Sequence, residues 1–233
     1  MAKAANGNGA DVPAAKPVNI ALQGGGSHGA FTWGVLDRLL EDGRLDFAAV
    51  SGTSAGAMNA VALADGFARG GRDGAREKLD TFWRAVARRG RFSPVQRTPW
   101  DVLWGNWSVE HTPGYLWFDA MSRAFSPYAT NPLNHNPLRE VVEAEIDFER
   151  VRACAGPKLF VSATNVETGQ LRVFETQEIT PDVVMASACL PRMFQAVEID
   201  GTPYWDGGYG GNPALYPFFY ATPVEDVLLV QIN

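Results

Sequence analysis

Residues 52–56 read Gly-Thr-Ser-Ala-Gly, a G-x-S-x-G stretch between the apolar run "FAAVSG" and a stretch with helical spacing. A serine in that setting sits on a sharp strand-to-helix turn, where neighbouring backbone passes too close for side chains, so the turn demands Gly52 and Gly56. Exposed at a helix N-terminus, Ser54 would have backbone N–H donors and the positive end of a helix dipole beside its oxygen, which suits attack on a carbonyl. The plainer alternative is a tight turn that prefers small residues. A nucleophilic serine also needs a base. The three histidines are His28, His111 and His135. None follows the last plausible acid, so a triad in the order Ser, acid, His cannot be completed. Asp206 in "YWDGGYGGNP" ends an expected strand, and Gly207, Gly208, Gly210 and Gly211 leave room around it. Read plainly, it is an Asp-Gly turn.

A second glycine cluster, "LQGGGSHGAF" (residues 22–31), follows another apolar run. Gly24, Gly26 and Gly29 satisfy G-x-G-x-x-G, which in a dinucleotide-binding fold cradles a pyrophosphate, and Asp46 falls roughly where a ribose-binding acid belongs. Such an acid should close the second strand, whereas Asp46 precedes "FAAVSG". The rival reading is a loop whose amides hold an oxyanion.

Positioning these groups requires alternating strands and helices. "VNIALQ" and "FAAVSG" read as buried strands. "FTWGVLDRLLE", "TSAGAMNAVALADGF" and "AREKLDTFWRAVARR" read as helices, with "DGR" as the turn after the first. Repeated strand-loop-helix units favour a parallel sheet with helices on its faces. "KLFVSATN" and "LRVFET" read as one hairpin and "VEIDGTPYW" as another with an Asp-Gly turn. Thr180 is placed to cap a short helix through Ala188, with Pro181 at its first position. "DVLLVQI" reads as a strongly apolar strand needing cover on both faces. Between Arg91 and Pro137 the pattern dissolves. Trp100, Trp104, Trp107 and Trp117 crowd there with Tyr115, Leu116 and Phe118, as an acyl-pocket lining, a cover at a lipid surface, or a satellite core. Asn131, Asn134 and Asn136 read as turn formers.

The 233 residues are 46% hydrophobic, enough for one sizeable core, and the formal net charge of -6 argues against a broad basic face for nucleic acid or anionic lipid heads. Membrane contact would therefore be mostly apolar, and no apolar run is long enough to span a bilayer. Cys154 and Cys189 lack metal-type spacing, so free thiols in a reducing, cytoplasmic setting are expected, with peripheral membrane contact as an addition. No metal and no cofactor are expected.

In that order, "GGGSHG", "GTSAG" and "DGG" resemble the patatin-like phospholipases, and the resemblance runs from about Val18 to the C-terminus, including "ATNVETG" and "ASACLPRMFQAVEIDGTPYWDGG". It implies a three-layer α/β/α sandwich with a mostly parallel central sheet, and a serine hydrolase acting through a Ser-Asp dyad on lipid or ester substrates. Carried over by motif, Ser54 is the nucleophile, Asp206 the general base, and the loop Gly24, Gly25, Gly26 the oxyanion hole, with the amides of Gly25 and Gly26 as donors. An aspartate near the ordinary ~3.9 is a feeble base at neutral pH, so burial that raises it is expected. The family commonly carries Arg or Lys two residues after the glycine run; His28 stands there and suggests pH-dependent electrostatic assistance. Residues 1–17 read as a disordered tail and 18–233 as the catalytic domain. Because the chain ends just after a buried-type strand, a fragment, a processed piece and pairing with a second chain are the alternatives. Rival activities are an acyltransferase using the same dyad, a silent lipid-binding module, and a dinucleotide-binding protein.

Overall fold

In the computed structural model, which describes residues 14–90, 103–104 and 112–232, strand β1 (Lys16–Leu22) and strand β2 (Leu45–Gly52) pair in parallel and are joined by helix α1 (Gly29–Asp42). Thr32, Leu36 and Leu40 of α1 recur every four residues and are buried, the spacing that points one helix face at a sheet. Gly43, at φ 74°, ends the helix in the left-handed conformation that side chains resist.

After β2 the chain forms α2 (Ala55–Gly90), interrupted by non-helical backbone at Gly70 and Gly71. The two halves lie antiparallel. Trp83 Nε1 donates to Asn59 Oδ1 at 2.8 Å, and the backbone of Gly66 meets that of Gly74. Two separate helices were expected here, and they form one hairpin whose tip is the glycine pair. Its first half is almost wholly buried from Ala55 to Gly66, and its many alanines allow close approach to the sheet.

Helices α3 (Pro113–Ala124), α4 (Pro127–Thr130), α5 (Pro137–Glu145) and α6 (Phe148–Arg152) lead into β3 (Lys158–Asn165). Strand β4 (Leu171–Glu175) pairs antiparallel with β3, the first expected hairpin. Thr180 then accepts the N–H of Val183 at 3.3 Å and caps α7 (Pro181–Ser187), one residue shorter than expected. Strands β5 (Val197–Ile199) and β6 (Thr202–Asp206) form the second hairpin; Asp200 (φ 51°) and Gly201 (φ 75°) make the two-residue turn with both central residues left-handed. Helix α8 (Phe218–Ala221) precedes β7 (Val227–Val230), which pairs in parallel with β1. The sheet order is β5-β6-β3-β2-β1-β7, with β4 also on β3.

The larger core packs α1, α2, α5, α6 and α7 against one face of the sheet. On the other face a smaller cluster gathers Ala21, Ala49 and Phe160 under Phe218, whose ring meets that of Phe160 edge-on at 6.1 Å. The α/β class with helices on both faces is thus what forms. β7, the strand read as needing cover on both faces, does not have it among the described residues. As an edge strand it leaves Val227 and Leu229 about two-fifths exposed.

Ala163 pairs with Arg172 of β4 and with Asp206 of β6, while Phe160 pairs with Glu175 of β4 and with Ser51 of β2. A strand has two edges, so β2 and β6 share the edge that β4 does not use. β2 leaves that edge at Gly52, opposite Val161, and β6 ends on it with Asp206 opposite Ala163.

Candidate active site

The fork in the sheet delivers two side chains to one place. Leaving β2, the chain turns through Thr53 and Ser54 into α2, and Ser54 takes φ 54°, a conformation that costs a non-glycine residue about 1–3 kcal/mol. The flanking glycines are steric necessities: a Cβ on Gly52 would lie 2.5 Å from Gly56 O, and one on Gly56 would lie 2.1 Å from Leu22 O. Gly56 N–H donates to Thr53 O at 2.8 Å, closing the turn. The N–H of Ser54 donates to the buried hydroxyl of Ser187 at 2.8 Å, across from the end of α7.

Asp206 is only 5% exposed and is held at every backbone polar atom. Its N–H donates to Cys189 O at 2.8 Å, its C=O accepts the Thr164 hydroxyl at 2.9 Å, and its carboxylate accepts Gly208 N–H at 2.7 Å. Burial pushes the carboxyl above the ordinary range, while the Gly208 N–H and the hydroxyl of Ser54 pull it partly back. The expected rise is therefore present, and the Ser54 hydroxyl is one of the groups that contact the carboxylate.

The glycine loop closes the third side. A Cβ on Gly24 would stand 2.8 Å from both Ser54 Cβ and Thr53 O, so only glycine lets the loop approach the elbow this closely. Gly26 has φ 59°. The N–H of Gly24 is already taken by Asn212 Oδ1 at 2.6 Å, which leaves Gly25 and Gly26 as the loop's donors. Asn59 ties loop and elbow together from behind. Its Nδ2 donates to Gly29 O and Ala55 O, both at 3.0 Å. A cavity of about 400 Å³ is lined by Gly24, Gly25, Gly26, Ser54 and Asp206 together with Leu190, Gly208, Tyr209 and Asn212.

Other candidates lie elsewhere. His28 is exposed and does not line the cavity; its ring Nδ1 sits 3.2 Å from Gly25 O. His135 faces Glu140 at 3.8 Å, and His111 is outside the described residues. Asp46 pairs with Pro17 at the start of β1, whereas the glycine loop follows the far end of that strand, so the ribose-acid geometry is not formed. Cys154 and Cys189 are free thiols. Burial first, and then the Asp206 charge, pushes the Cys189 thiol up to about 11 against a backbone contact from Val197. Among the described residues no cluster of His, Cys, Asp and Glu could hold a metal, and no helix is long and apolar enough to cross a membrane. Trp104 and Trp117 are 82% and 66% exposed, so neither belongs to a satellite core. Trp100, Trp107 and the side chains of Tyr115 and Phe118 are outside the described set. Asn131 and Asn136 bond local backbone and Asn134 takes φ 48°, as turn formers do.

Sequence reasoning missed Ser187, Asn212 and Asn59. Each acts through hydrogen bonds to groups remote in sequence, which leave no spacing to read.

Among solved structures, VipD from Legionella pneumophila is similar at 19% identity and a TM-score of 0.51, over 93% of this chain and 49% of that one. The ExoU–SpcU complex from the type III secretion system of Pseudomonas aeruginosa is similar at 20% identity and a TM-score of 0.39, over 92% of this chain and 44% of that one. The chain thus spans about half the length of these structures or less, and at such identity the VipD likeness speaks to the fold. No curated protein matches the sequence. The family model described as patatin-like phospholipase matches residues 20–221. That span takes in the glycine loop, the serine elbow and the aspartate that the forked sheet sets beside it, and the chain belongs to the patatin-like phospholipase family.

Proposed function

We propose that the protein is a serine hydrolase of lipid carboxylic esters, with Ser54 as nucleophile, Asp206 as general base and acid, and the N–H groups of Gly25 and Gly26 as oxyanion donors. The observation that carries the reading is the convergence of a strained serine, a buried carboxylate in contact with its hydroxyl, and two glycine amides on one cavity. Ser54 Oγ attacks the ester carbonyl carbon while its proton passes to Asp206, and the carbonyl oxygen becomes an oxyanion facing the glycine amides. Collapse breaks the acyl C–O bond, Asp206 returns the proton to the leaving alcohol, and an acyl-Ser54 remains. Water then attacks the acyl carbon, loses its proton to Asp206, and releases the acid as Ser54 recovers that proton.

The raised pKa of Asp206 supports this role, because a carboxylate must bind its proton more tightly than usual to act as base without a histidine. Leu190 and Tyr209, partly exposed at the cavity, offer apolar contact to an acyl chain, and the exposed Trp104 and Trp117 offer apolar contact to a lipid surface. Peripheral membrane contact belongs to the same proposal.

Labelling with a fluorophosphonate, followed by mapping of the modified peptide, tests the reading. Modification at Ser54 that Ser54→Ala abolishes is expected. An active protein labelled elsewhere, or not at all, would sink it. Adding an alcohol to the hydrolysis assay separates hydrolase from acyltransferase by the ratio of free acid to new ester.

A further inference from the structure

The N–H groups of Gly25 and Gly26 each belong to a peptide unit whose opposite side is gripped. Asn212 Nδ2 donates to Gly24 O at 3.3 Å while Asn212 Oδ1 accepts Gly24 N–H at 2.6 Å. At the next peptide, the backbone N–H of His28 and its ring Nδ1 both lie 3.2 Å from Gly25 O. A trans peptide is planar, with C=O and N–H pointing in opposite directions. The cis bond recorded among the described residues is Asn212–Pro213, so both loop peptides are trans. Holding Gly24 O therefore sets where Gly25 N–H points, and holding Gly25 O sets where Gly26 N–H points. Among the described residues neither N–H has a protein acceptor, and both glycines line the cavity.

A run of glycines has unusual need of such restraint. Without Cβ atoms the peptide planes rotate with little steric hindrance, and an oxyanion site stabilises charge only if its dipoles are aimed beforehand. Resting on the assignment of Gly25 and Gly26 as oxyanion donors, we infer that Asn212, assisted by His28, is a positioning residue that aims those amides by holding the carbonyl behind each of them. A carboxamide suits the task because it sets one acceptor and one donor side by side, matching the N–H and C=O of a single residue. Asp206 and Asn212 also lie on one short segment, so the group that takes the proton and the group that aims the oxyanion donors dock together.

The test uses the full chain and the variants Asn212→Ala, Asn212→Asp, His28→Ala and His28→Asn. Steady-state turnover of a soluble short-chain nitrophenyl ester is measured, with inhibition by a trifluoromethyl ketone, whose serine adduct carries an oxyanion, and by the matching ether, which binds without forming one. Asn212→Ala and Asn212→Asp are expected to lower kcat about 10²-fold, in the range for loss of one oxyanion donor, with KM little changed. Ketone affinity should fall by a similar factor and ether affinity should stay. Asn212→Asp carries the test alone if Asn212→Ala does not fold, because it keeps the acceptor for Gly24 N–H and lacks the donor to Gly24 O. His28→Ala should lose less, since the backbone N–H of residue 28 remains, and His28→Asn should restore part of the loss. Unchanged kcat in the folded Asn212 variants, or parallel loss of ketone and ether affinity, overturns the inference. In either case fluorophosphonate labelling of wild-type Ser54 leaves the hydrolase reading standing, whereas its absence would remove that reading itself.

Discussion

The hydroxyl of Ser187, fully buried at the end of α7, accepts the backbone N–H of Ser54 at 2.8 Å. That bond spans 133 residues of chain and holds Ser54, the proposed nucleophile, by its backbone and not by its side chain. Ser187→Ala strands a donor at a turn already strained at φ 54°, for a cost of about 1–3 kcal/mol. The expected kinetic signature is a fall in kcat of about 10²-fold, as for a reacting atom displaced by an ångström, with KM nearly constant. Unaltered kcat in a folded Ser187→Ala protein would show that the turn holds without this bond.

Ser54 and Asp206 should behave as one catalytic unit. Ser54→Ala, Asp206→Asn and the double variant are each expected to lower kcat by about 10³-fold or more and to similar extents, because members of one unit are not additive. Losses that multiply in the double variant, or substantial activity in Asp206→Asn, would point to another base.

Burial of Asp206 has opposite consequences for activity and stability. Its folded-state pKa is raised, so kcat/KM should fall with decreasing pH through a value above the ordinary carboxylate range. For stability, folded and unfolded chains are both protonated below the ordinary value. As pH rises between the ordinary and the raised value, the unfolded chain gives up its proton first and stability drops; above the raised value the full cost remains. Asp206→Asn removes that cost and keeps an acceptor for Gly208 N–H. Its stability at pH 7 should exceed wild type by about 1 kcal/mol, the usual scale for relieving a functional site, with the gap closing below the ordinary carboxylate pKa. Urea titrations at pH 7 and near pH 3 measure both; a variant less stable at pH 7 would contradict the sign.

Trp104 and Trp117 are exposed, so replacing either by Ala should change stability by no more than about 0.5 kcal/mol. The paired replacement is expected to depress turnover of long-chain esters in phosphatidylcholine vesicles by several fold and to spare a soluble short-chain ester. Equal loss on both substrates would assign these side chains no part in lipid contact.

The parts of this site that were legible in the sequence are those that exclude side chains. Gly52 and Gly56 mark Ser54 because a Cβ at either would meet backbone, and Gly207 marks Asp206 in the same way, since a Cβ there would meet the backbone of Ser162. The two helices of the hairpin were legible as two apolar patterns, whereas the reversal at Gly70 and Gly71 that joins them was not read. The fork of β2 and β6 on one edge of β3 was not, since pairs as remote in sequence as Ala49 with Lys158 and Ala163 with Asp206 carry no local signal. Nor were Asn212 and Ser187, whose ordinary polar side chains acquire a task only through the backbone they meet. The apolar run at β7 was legible as a strand needing cover, but its place at the rim of the sheet was not, because composition reports hydrophobicity and says nothing of strand order.

The hairpin tip at Gly70 and Gly71 divides the site's chemistry between two stretches of chain. Gly24, Gly25, Gly26 and Ser54 precede it; Ser187, Asp206 and Asn212 follow it. A protease nick there would leave Ser54 and Asp206 on separate polypeptides, joined across the cut by the Asn59–Trp83 hydrogen bond, the β1–β7 and β2–β3 pairings and the core they enclose. Exposed, glycine-rich tips of this kind are where chains tolerate interruption. Under the proposed function the protein is a candidate for a split reporter, in which reassembly of the two halves would read out as ester cleavage.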